Sequence, residues 1–272
     1  MMSYSMRSWS AGVTAAAQAR RLSWRHVRWV APALAVVAGC HAADPRVATT
    51  APVETRATTQ PITLSRPLEA AFARWEQEGP TGDDAHRERL KQLAEVVRKQ
   101  LGESGRADLL FVCTHNSRRS HMAQLLGLAA ARRKGLGNVR AFSAGTEATA
   151  FNPRAIAALR RVGFDVGGGS AEANPHYVVR LGPTLDPVEA FSKRFTDAPN
   201  PSSGFIAVMT CSQADAACPF VQGATARVAV PYDDPKAADG TPEEASRYDE
   251  RVAQIGRDLA WVFGTVSTPA SH

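Results

Sequence analysis

The chain has 272 residues, 44% of them hydrophobic and 21% charged, which is enough for a buried core in one domain with extensions or in two small domains. Its formal net charge is +6, but residues 1–40 hold five arginines and no acidic residue, so the rest carries only +1 (6 minus 5). This near-neutral remainder has no basic stripe interleaved with aromatic residues, and we therefore expect no nucleic-acid partner.

The first forty residues have the pattern of an export signal. A basic stretch at residues 20–28 precedes an apolar run at residues 29–38, which is too short to span a bilayer. The run ends in Val-Ala-Gly-Cys, which resembles the lipobox of bacterial lipoproteins, in which cleavage leaves the cysteine as a lipid-bearing N-terminus. We predict a signal peptide over residues 1–39 and a lipidated Cys40 that anchors an extracytoplasmic protein to the membrane. The alternative is a start codon assigned too far upstream of a cytoplasmic protein.

Two different patterns follow the predicted signal. Residues 40–65 are rich in Ala, Thr, Pro and Val without periodicity, which predicts a flexible tether. Residues 66–104 carry apolar side chains at helical spacing, interrupted at Gly79-Pro80, and predict two helices of an N-terminal extension. We expect their apolar faces to pack on the following domain; recruitment of a partner is the less favoured alternative.

The most informative segment joins a predicted strand to a predicted helix. A short apolar run at residues 109–112 ends at Cys113, and a helical pattern opens at Ser120 and closes at Gly135. Arg119 lies six positions after Cys113, which makes the segment a C-x5-R-S loop. The backbone N–H groups of such a loop and the positive end of its helix converge on one point. The segment therefore predicts a binding site for a tetrahedral oxyanion.

The residue types of this loop suit nucleophilic chemistry. Cys113 is the predicted nucleophile, because a helix N-terminus and cationic neighbours favour the thiolate. The planar fork of Arg119 can bind two equatorial oxygens of the anion. Ser120 can stabilise the sulfur anion, and Asn116 suits a loop position with positive φ. The predicted anion-binding residues are Thr114, His115, Asn116, Ser117, Arg118 and Ser120. The alternative is an ordinary buried cysteine beside a helix cap.

Strands and helices alternate after the loop. Such alternation implies a parallel sheet with right-handed crossovers, in which ligands bind at the carboxyl ends of the strands. The predicted elements are a strand at residues 139–143, a helix capped by Asn152-Pro153, an inserted hairpin within residues 176–195, strands at residues 205–210 and 226–230, and a final helix at residues 242–263 capped by Thr241.

Two further cysteines follow the strand at residues 205–210. Cys211 and Cys218 are seven positions apart, and the end of that strand should lie on the same sheet edge as Cys113. Cys211 could resolve an oxidised adduct on Cys113, and Cys218 could then relieve Cys211 by thiol–disulfide exchange. One alternative is a static disulfide, which an extracytoplasmic location favours. Another alternative is a zinc site formed by Cys113, Cys211, Cys218 and His115, but these residues lack the paired short spacings that are typical of zinc sites. We predict no metal and no cofactor.

A carboxylate pair lies in the turn Tyr232-Asp233-Asp234-Pro235, which follows the strand at residues 226–230. This places a carboxyl group at the predicted catalytic edge. A carboxylic acid above the loop can supply the proton that a departing oxygen needs.

These motifs together resemble a known family. The run at residues 112–120, the later Ser143-Ala144-Gly145 and the Asp234-Pro235 pair are similar to the low-molecular-weight protein tyrosine phosphatases and the thioredoxin-coupled arsenate reductases that share their fold. The resemblance covers residues 108–263. It implies an α/β fold with three layers, a four-stranded and mainly parallel sheet having helices on both faces, in a catalytic domain at residues 105–265 followed by a tail at residues 266–272.

The resemblance also suggests roles for single residues. It implies that Asp234, and not Asp233, is the general acid, and the spacing of Cys211 and Cys218 matches the redox cysteine pair of the arsenate reductases. Two loop positions depart from the family pattern: His115 replaces a usual glycine, and Arg118 replaces a usual second cysteine.

Arsenate reduction with a thioredoxin-like reductant is the function that we predict. The cysteine pair favours it, and Pro235 is followed by Lys-Ala-Ala and not by the aromatic residues with which the phosphatases grip a tyrosine ring. Hydrolysis of phosphomonoesters through a phosphocysteine is the alternative, supported by the absent second loop cysteine and by the predicted export, since thioredoxin is chiefly cytoplasmic. A tethered lipoprotein that only binds anions is least favoured, because binding alone needs no proton donor.

Overall fold

The structure, a computed structural model, describes residues 63–218 and 220–268. The predicted signal peptide, the lipidated Cys40 and nearly all of the tether lie outside these residues, as does the end of the predicted tail. No helix within the described ranges is both long and apolar enough to cross a bilayer.

The described elements alternate as the sequence predicts. The helices are α1 (Arg66–Glu78), α2 (Asp84–Ser104), α3 (Arg119–Arg133), α4 (Pro153–Val162), α5 (Ser212–Ala217) and α6 (Glu244–Ser267). The strands are β1 (Ala107–Cys113), β2 (Val139–Gly145), β3 (Asp165–Gly168), β4 (Tyr177–Arg180), β5 (Val188–Ala190), β6 (Phe205–Met209) and β7 (Ala224–Ala229). A short 3-10 helix, Pro235–Ala238, follows the predicted acid.

Four parallel strands form the central sheet in the order β2-β1-β6-β7. All seven residues of β1 are buried, as expected for a central strand covered on both faces. Its side chains alternate between two cores: Leu109 and Phe111 join the larger core with the long helices, whereas Leu110 and Val112 join a smaller core that includes Ala214 of α5. The predicted α/β fold with a parallel four-stranded sheet is confirmed.

The predicted hairpin is part of a larger unit. β4 and β5 pair antiparallel as expected, but β3 adds a third strand beside β4. The sequence of β3, Asp-Val-Gly-Gly, has low strand propensity, and only its pairing with β4 reveals it. After β5 the chain returns to the cysteine loop through Ser192 and Lys193, which contact that loop.

The N-terminal extension packs on α6. Ser65 caps α1 and Asp83 caps α2, each through a side-chain oxygen that accepts a backbone N–H. Trp75 of α1 is fully buried over Gly256 of α6, where a Cβ atom would lie 2.4 Å from the indole ring. Glycine at this position lets the extension approach α6 closely.

The expectation that Thr241 caps the last helix is wrong. α6 begins at Glu244 after Glu243, which makes no capping bond through its side chain. The Thr241 hydroxyl donates to the Ala238 carbonyl at 2.9 Å and accepts the N–H of Glu243 at 3.3 Å, so it lies in the turn before α6. The hydroxyl therefore stabilises the turn that precedes α6.

Candidate active site

Cys113 lies at the carboxyl end of β1, and its sulfur contacts one hydroxyl group. Its Sγ is 3.1 Å from Ser120 Oγ, which itself accepts a hydrogen bond from Asn116 Nδ2 at 2.8 Å. Since Asn116 occupies an acceptor position of that hydroxyl, the hydroxyl hydrogen remains free to point at the sulfur. A hydroxyl in this position can donate to a sulfur anion, which is the role predicted for Ser120.

Asn116 fixes the shape of the loop. Its φ is +43°, the left-handed conformation that its residue type predicts. Its side chain is fully buried, and Oδ1 accepts from the Lys193 N–H at 2.8 Å while Nδ2 donates to Ser120. Asn116 therefore holds the loop through contacts on both sides.

The carbonyl groups of the loop bond away from its centre. The Thr114 carbonyl accepts from the Glu147 N–H at 2.8 Å, and the Ser117 carbonyl accepts from the Asn152 N–H at 2.9 Å. Because the C=O and the following N–H of a trans peptide point in opposite directions, the next amides face inward. Arg118 precedes α3 without a side-chain cap, so the first amides of that helix also remain available to an anion.

β2 ends at Gly145, where the strand passes close to the cysteine loop. A Cβ atom there would lie 2.1 Å from the Glu147 carbonyl oxygen and 2.7 Å from the Asn116 nitrogen. Only glycine allows β2 to approach the loop this closely.

Both arginines of the loop contact Asp234. Arg118 donates from Nε to Oδ1 at 2.8 Å and from Nη2 to Oδ2 at 3.1 Å. Arg119 donates from Nη2 to Oδ2 of Asp234 at 2.9 Å and from Nη1 to the Tyr232 carbonyl at 3.0 Å. The predicted clamp and the predicted acid, 115 positions apart in sequence, therefore meet at the loop.

These contacts set the charge of Asp234. Burial raises its pKa, but the hydrogen bond from Arg118 and the charge of Arg119 oppose burial, and the net effect is a pKa below the ordinary value. Asp234 is consequently a carboxylate at neutral pH in this state, paired with two cations.

Asp233 has a different environment. Its side chain is 97% exposed, and its nearest cation is Arg251 at 3.9 Å. Asp234, at 28% exposure, is the carboxylate that faces the loop.

Cys211 lies on the strand edge next to Cys113. β1 and β6 are adjacent and parallel, with Val112 opposite Met209, so both thiols follow the carboxyl ends of neighbouring strands. The Cys211 Sγ is 3.5 Å from Thr114 Oγ1 and accepts the Ala214 N–H at 3.3 Å. Cys113 and Cys211 are buried in the same small core.

Cys211 directly precedes α5 and Cys218 directly follows it, so this short helix separates the two thiols. Cys218 is partly exposed and packs against the small core. The three described cysteines are all free thiols in this structure.

Sequence reasoning missed a buried pair of basic side chains behind the loop. His121 stacks on Phe151 with ring centroids 4.0 Å apart, and burial, aided by Lys193, lowers the pKa of His121 to about 3. Burial lowers the pKa of Lys193 to about 8, and its ammonium donates to the Phe191 carbonyl at 3.2 Å. Sequence did not reveal that Lys193 is buried, because its neighbours in the chain are polar or exposed.

His115 lies at the rim of the loop. Its ring is 46% exposed and lies 3.8 Å from the Glu147 carboxylate. Within residues 63–218 and 220–268, no group of three or more His, Cys, Asp or Glu side chains could hold a metal ion.

Comparison with known proteins gives a consistent result. Residues 108–177 match the family described as low molecular weight phosphotyrosine protein phosphatase. The arsenate reductase of Brevibacillus brevis is 32% identical over 148 residues, which cover 54% of this chain and 90% of the relative. The arsenate reductase of Halalkalibacterium halodurans is 31% identical, covering 56% of this chain and 91% of the relative.

Among solved structures, a YwlE mutant from Bacillus subtilis is similar at a TM-score of 0.41 and 20% identity, over 60% of this chain and 99% of that chain. The family match, the arsenate reductase relatives and the parallel sheet with a cysteine loop at its edge agree with one another. This chain belongs to the family of low-molecular-weight protein tyrosine phosphatases and arsenate reductases, and it is a cysteine-based enzyme of that family.

Proposed function

We propose that the protein reduces arsenate through a relay of Cys113, Cys211 and Cys218. The observation that carries the proposal is the position of Cys211, whose sulfur lies 3.5 Å from Thr114 of the cysteine loop and at the end of the strand beside Cys113. Hydrolysis of a phosphate ester needs no second thiol there. The arsenate reductase relatives support the same substrate.

The first step forms a bond between sulfur and arsenic. The anion binds to the inward amides and to Arg119, and the Cys113 thiolate attacks As(V) while one oxygen leaves as water after it accepts a proton. Arg119 must release Asp234 before its guanidinium group can bind the anion. Loss of this cation and arrival of a negative charge both raise the pKa of Asp234, which can then bind and deliver the proton.

The second and third steps move two electrons. The Cys211 thiolate attacks the Cys113 sulfur, an S–S bond forms, the S–As bond breaks, and its electron pair reduces As(V) to As(III), which leaves as arsenite. Cys218 then attacks Cys211, releases the Cys113 thiolate and leaves a Cys211–Cys218 disulfide. An external dithiol, such as a thioredoxin-like protein, reduces this disulfide and completes the cycle.

Phosphomonoester hydrolysis is the second candidate. The observation that favours it is Arg118, which stands where a second loop thiol is usual in the reductases and adds a cation beside Asp234. In this reaction Cys113 attacks phosphorus, the ester oxygen takes a proton from Asp234, and water hydrolyses the phosphocysteine. Cys211 and Cys218 take no part.

One pair of assays tests the proposed function. Purified protein is assayed for arsenite release with a dithiol reductant and for hydrolysis of an aryl phosphate without one. Repeated release of arsenite supports the reductase. Aryl-phosphate turnover without arsenite release assigns the protein to the phosphatases.

Asp234→Asn should slow the loss of a poor leaving group by roughly 10²–10⁴-fold, the range typical of a general acid. A leaving group that needs no proton, such as p-nitrophenolate, should be affected much less. Steady-state rates on a series of aryl phosphates measure this difference.

Asp233→Asn is the matched control for that series. Its side chain is almost fully exposed, so we expect rates close to those of the wild-type enzyme. Equal losses in the two variants, or a larger loss in Asp233→Asn, would remove Asp234 from the mechanism.

The membrane anchor is a separate proposal that rests on residues 1–40 alone. Mass spectrometry of protein from a bacterial membrane fraction should detect a lipid-modified Cys40 at the mature N-terminus. An unmodified N-terminus upstream of this residue would contradict the anchor.

A further inference from the structure

A buried carboxylate connects the N-terminal extension to the rest of the fold. Asp258 of α6 is fully buried. Its Oδ1 accepts the backbone N–H of Thr81 at 2.8 Å and the Thr81 hydroxyl at 3.0 Å. Its Oδ2 lies 2.8 Å from Nε2 of His86. Thr81 lies between α1 and α2, and His86 lies in the first turn of α2, so both partners belong to the extension.

His86 brings the extension against Tyr232. The Tyr232 side chain is buried, and burial together with the charge of Asp258 raises the pKa of Tyr232 well above its ordinary value. The Tyr232 ring also meets the His86 ring edge-on, with centroids 5.8 Å apart. The extension thus contacts Tyr232 through His86, which Asp258 holds in place.

Tyr232 is in turn part of the loop that carries Asp234. Its N–H donates to the Thr210 carbonyl at 3.1 Å, and its carbonyl accepts from Arg119 Nη1 at 3.0 Å. The other Arg119 donor bonds to Asp234. A continuous set of contacts therefore runs from Thr81 through Asp258, His86 and Tyr232 to the arginine of the cysteine loop.

We propose that the helical extension positions the oxyanion site: Thr81 holds Asp258, Asp258 holds His86, the His86 ring packs on Tyr232, and the Tyr232 carbonyl orients Arg119 beside Asp234. The reactive roles of Arg119 and Asp234 in this inference rest on the proposed function. The family model matches from Asp108 onward, so both helices of the extension precede the residues that it matches.

Stability alone does not account for this set of contacts. The apolar side chains Leu68, Phe72 and Trp75 already bury the face of α1 in the main core. A buried carboxylate is costly unless several polar partners satisfy it, and the partners of Asp258 are Thr81 and His86 of the extension. Loss of the Thr81 hydroxyl should therefore disturb Tyr232 and the residues that Tyr232 orients.

The test uses Thr81→Val in the full chain, a variant that retains the shape of the side chain and the backbone N–H but loses the hydroxyl bond. Two measurements are made. Calorimetry gives the affinity for inorganic phosphate, and hydrogen exchange followed by mass spectrometry reports the backbone at residues 231–236. We expect phosphate affinity to fall by about three- to tenfold, which corresponds to one hydrogen bond, and exchange at residues 231–236 to rise.

Three further variants of the full chain make the test specific. Thr81→Ser keeps the hydroxyl and should restore both measurements. Adding His86→Phe to Thr81→Val should enlarge both effects. If this double variant does not fold, the measurements on Thr81→Val alone decide the test. Glu76→Gln removes ion pairs between α1 and the far end of α3, at Arg133 and Lys134, about 20 Å along that helix from Arg119. It should lower the melting temperature without changing either measurement.

Unchanged phosphate affinity and unchanged exchange at residues 231–236 in folded Thr81→Val would overturn the proposal and leave the extension a purely stabilising role. The same applies if Glu76→Gln changes both measurements as much as Thr81→Val does. A wild-type protein that binds no phosphate would contradict the proposed function instead. The exchange measurement would then still decide whether the extension orders the loop.

Discussion

Replacing Cys113 by serine should abolish arsenite formation and phosphomonoester hydrolysis, with a loss of at least about a thousandfold in either reaction, as is usual when an enzyme loses its nucleophile. A serine hydroxyl stays protonated at this position, and the group that contacts Cys113 is the Ser120 hydroxyl, which is a hydrogen-bond donor and not a base. Rates are measured under the conditions of the two assays described above. Binding of inorganic phosphate should survive, since the amides and Arg119 are unchanged.

Cys218→Ser is the matched control for hydrolysis, because it makes the same chemical change at a thiol that hydrolysis does not use. It should retain aryl-phosphate turnover if the wild-type enzyme has any. Turnover by Cys113→Ser within a few fold of wild type would show that another group is the nucleophile.

Cys211→Ser should stop arsenite formation after at most one event per enzyme molecule. The proposed relay needs the Cys211 thiol at the neighbouring strand end to attack the Cys113 sulfur, so that the electron pair of the S–As bond passes to arsenic. Hydrolysis of aryl phosphates should persist, because water and not a thiol resolves a phosphocysteine. Arsenite is quantified per mole of enzyme in a single-turnover and a multiple-turnover experiment.

Cys218→Ser should trap the preceding intermediate. The Cys113–Cys211 disulfide would then accumulate after one turnover, and mass spectrometry of a non-reduced digest should detect the linked peptides. Many turnovers of arsenite by Cys211→Ser would contradict the relay and favour the phosphatase assignment. A stable Cys211–Cys218 disulfide in the resting enzyme, with no selective effect of either variant, would indicate a static bridge.

Local sequence was sufficient for the cysteine loop and for most of the fold. The loop, its strand and its helix are contiguous in the chain, so spacing alone predicted that Ser120 lies beside Cys113, and the residue type of Asn116 predicted its positive φ. Alternating strand and helix patterns likewise predicted the parallel sheet, because each pattern reports a buried face within one element.

Weak local signals led to the errors. β3 has two glycines and little strand propensity, and only its partner β4 makes it a strand. Thr241 has the residue type of a helix cap, but the turn closed by its bond to Ala238 places the start of α6 three residues later.

The sequence by itself determined which residues carry the cysteine loop, whereas only the tertiary structure decided what surrounds it. The pairing of Arg118 and Arg119 with Asp234 and the link from Thr81 through Asp258 and His86 to Tyr232 join residues that are far apart in the chain. The burial of Lys193 likewise depends on the packing around it. No local pattern encodes such contacts. They depend on how the helices pack on the sheet, because packing decides which charges lose water and must find partners inside the protein.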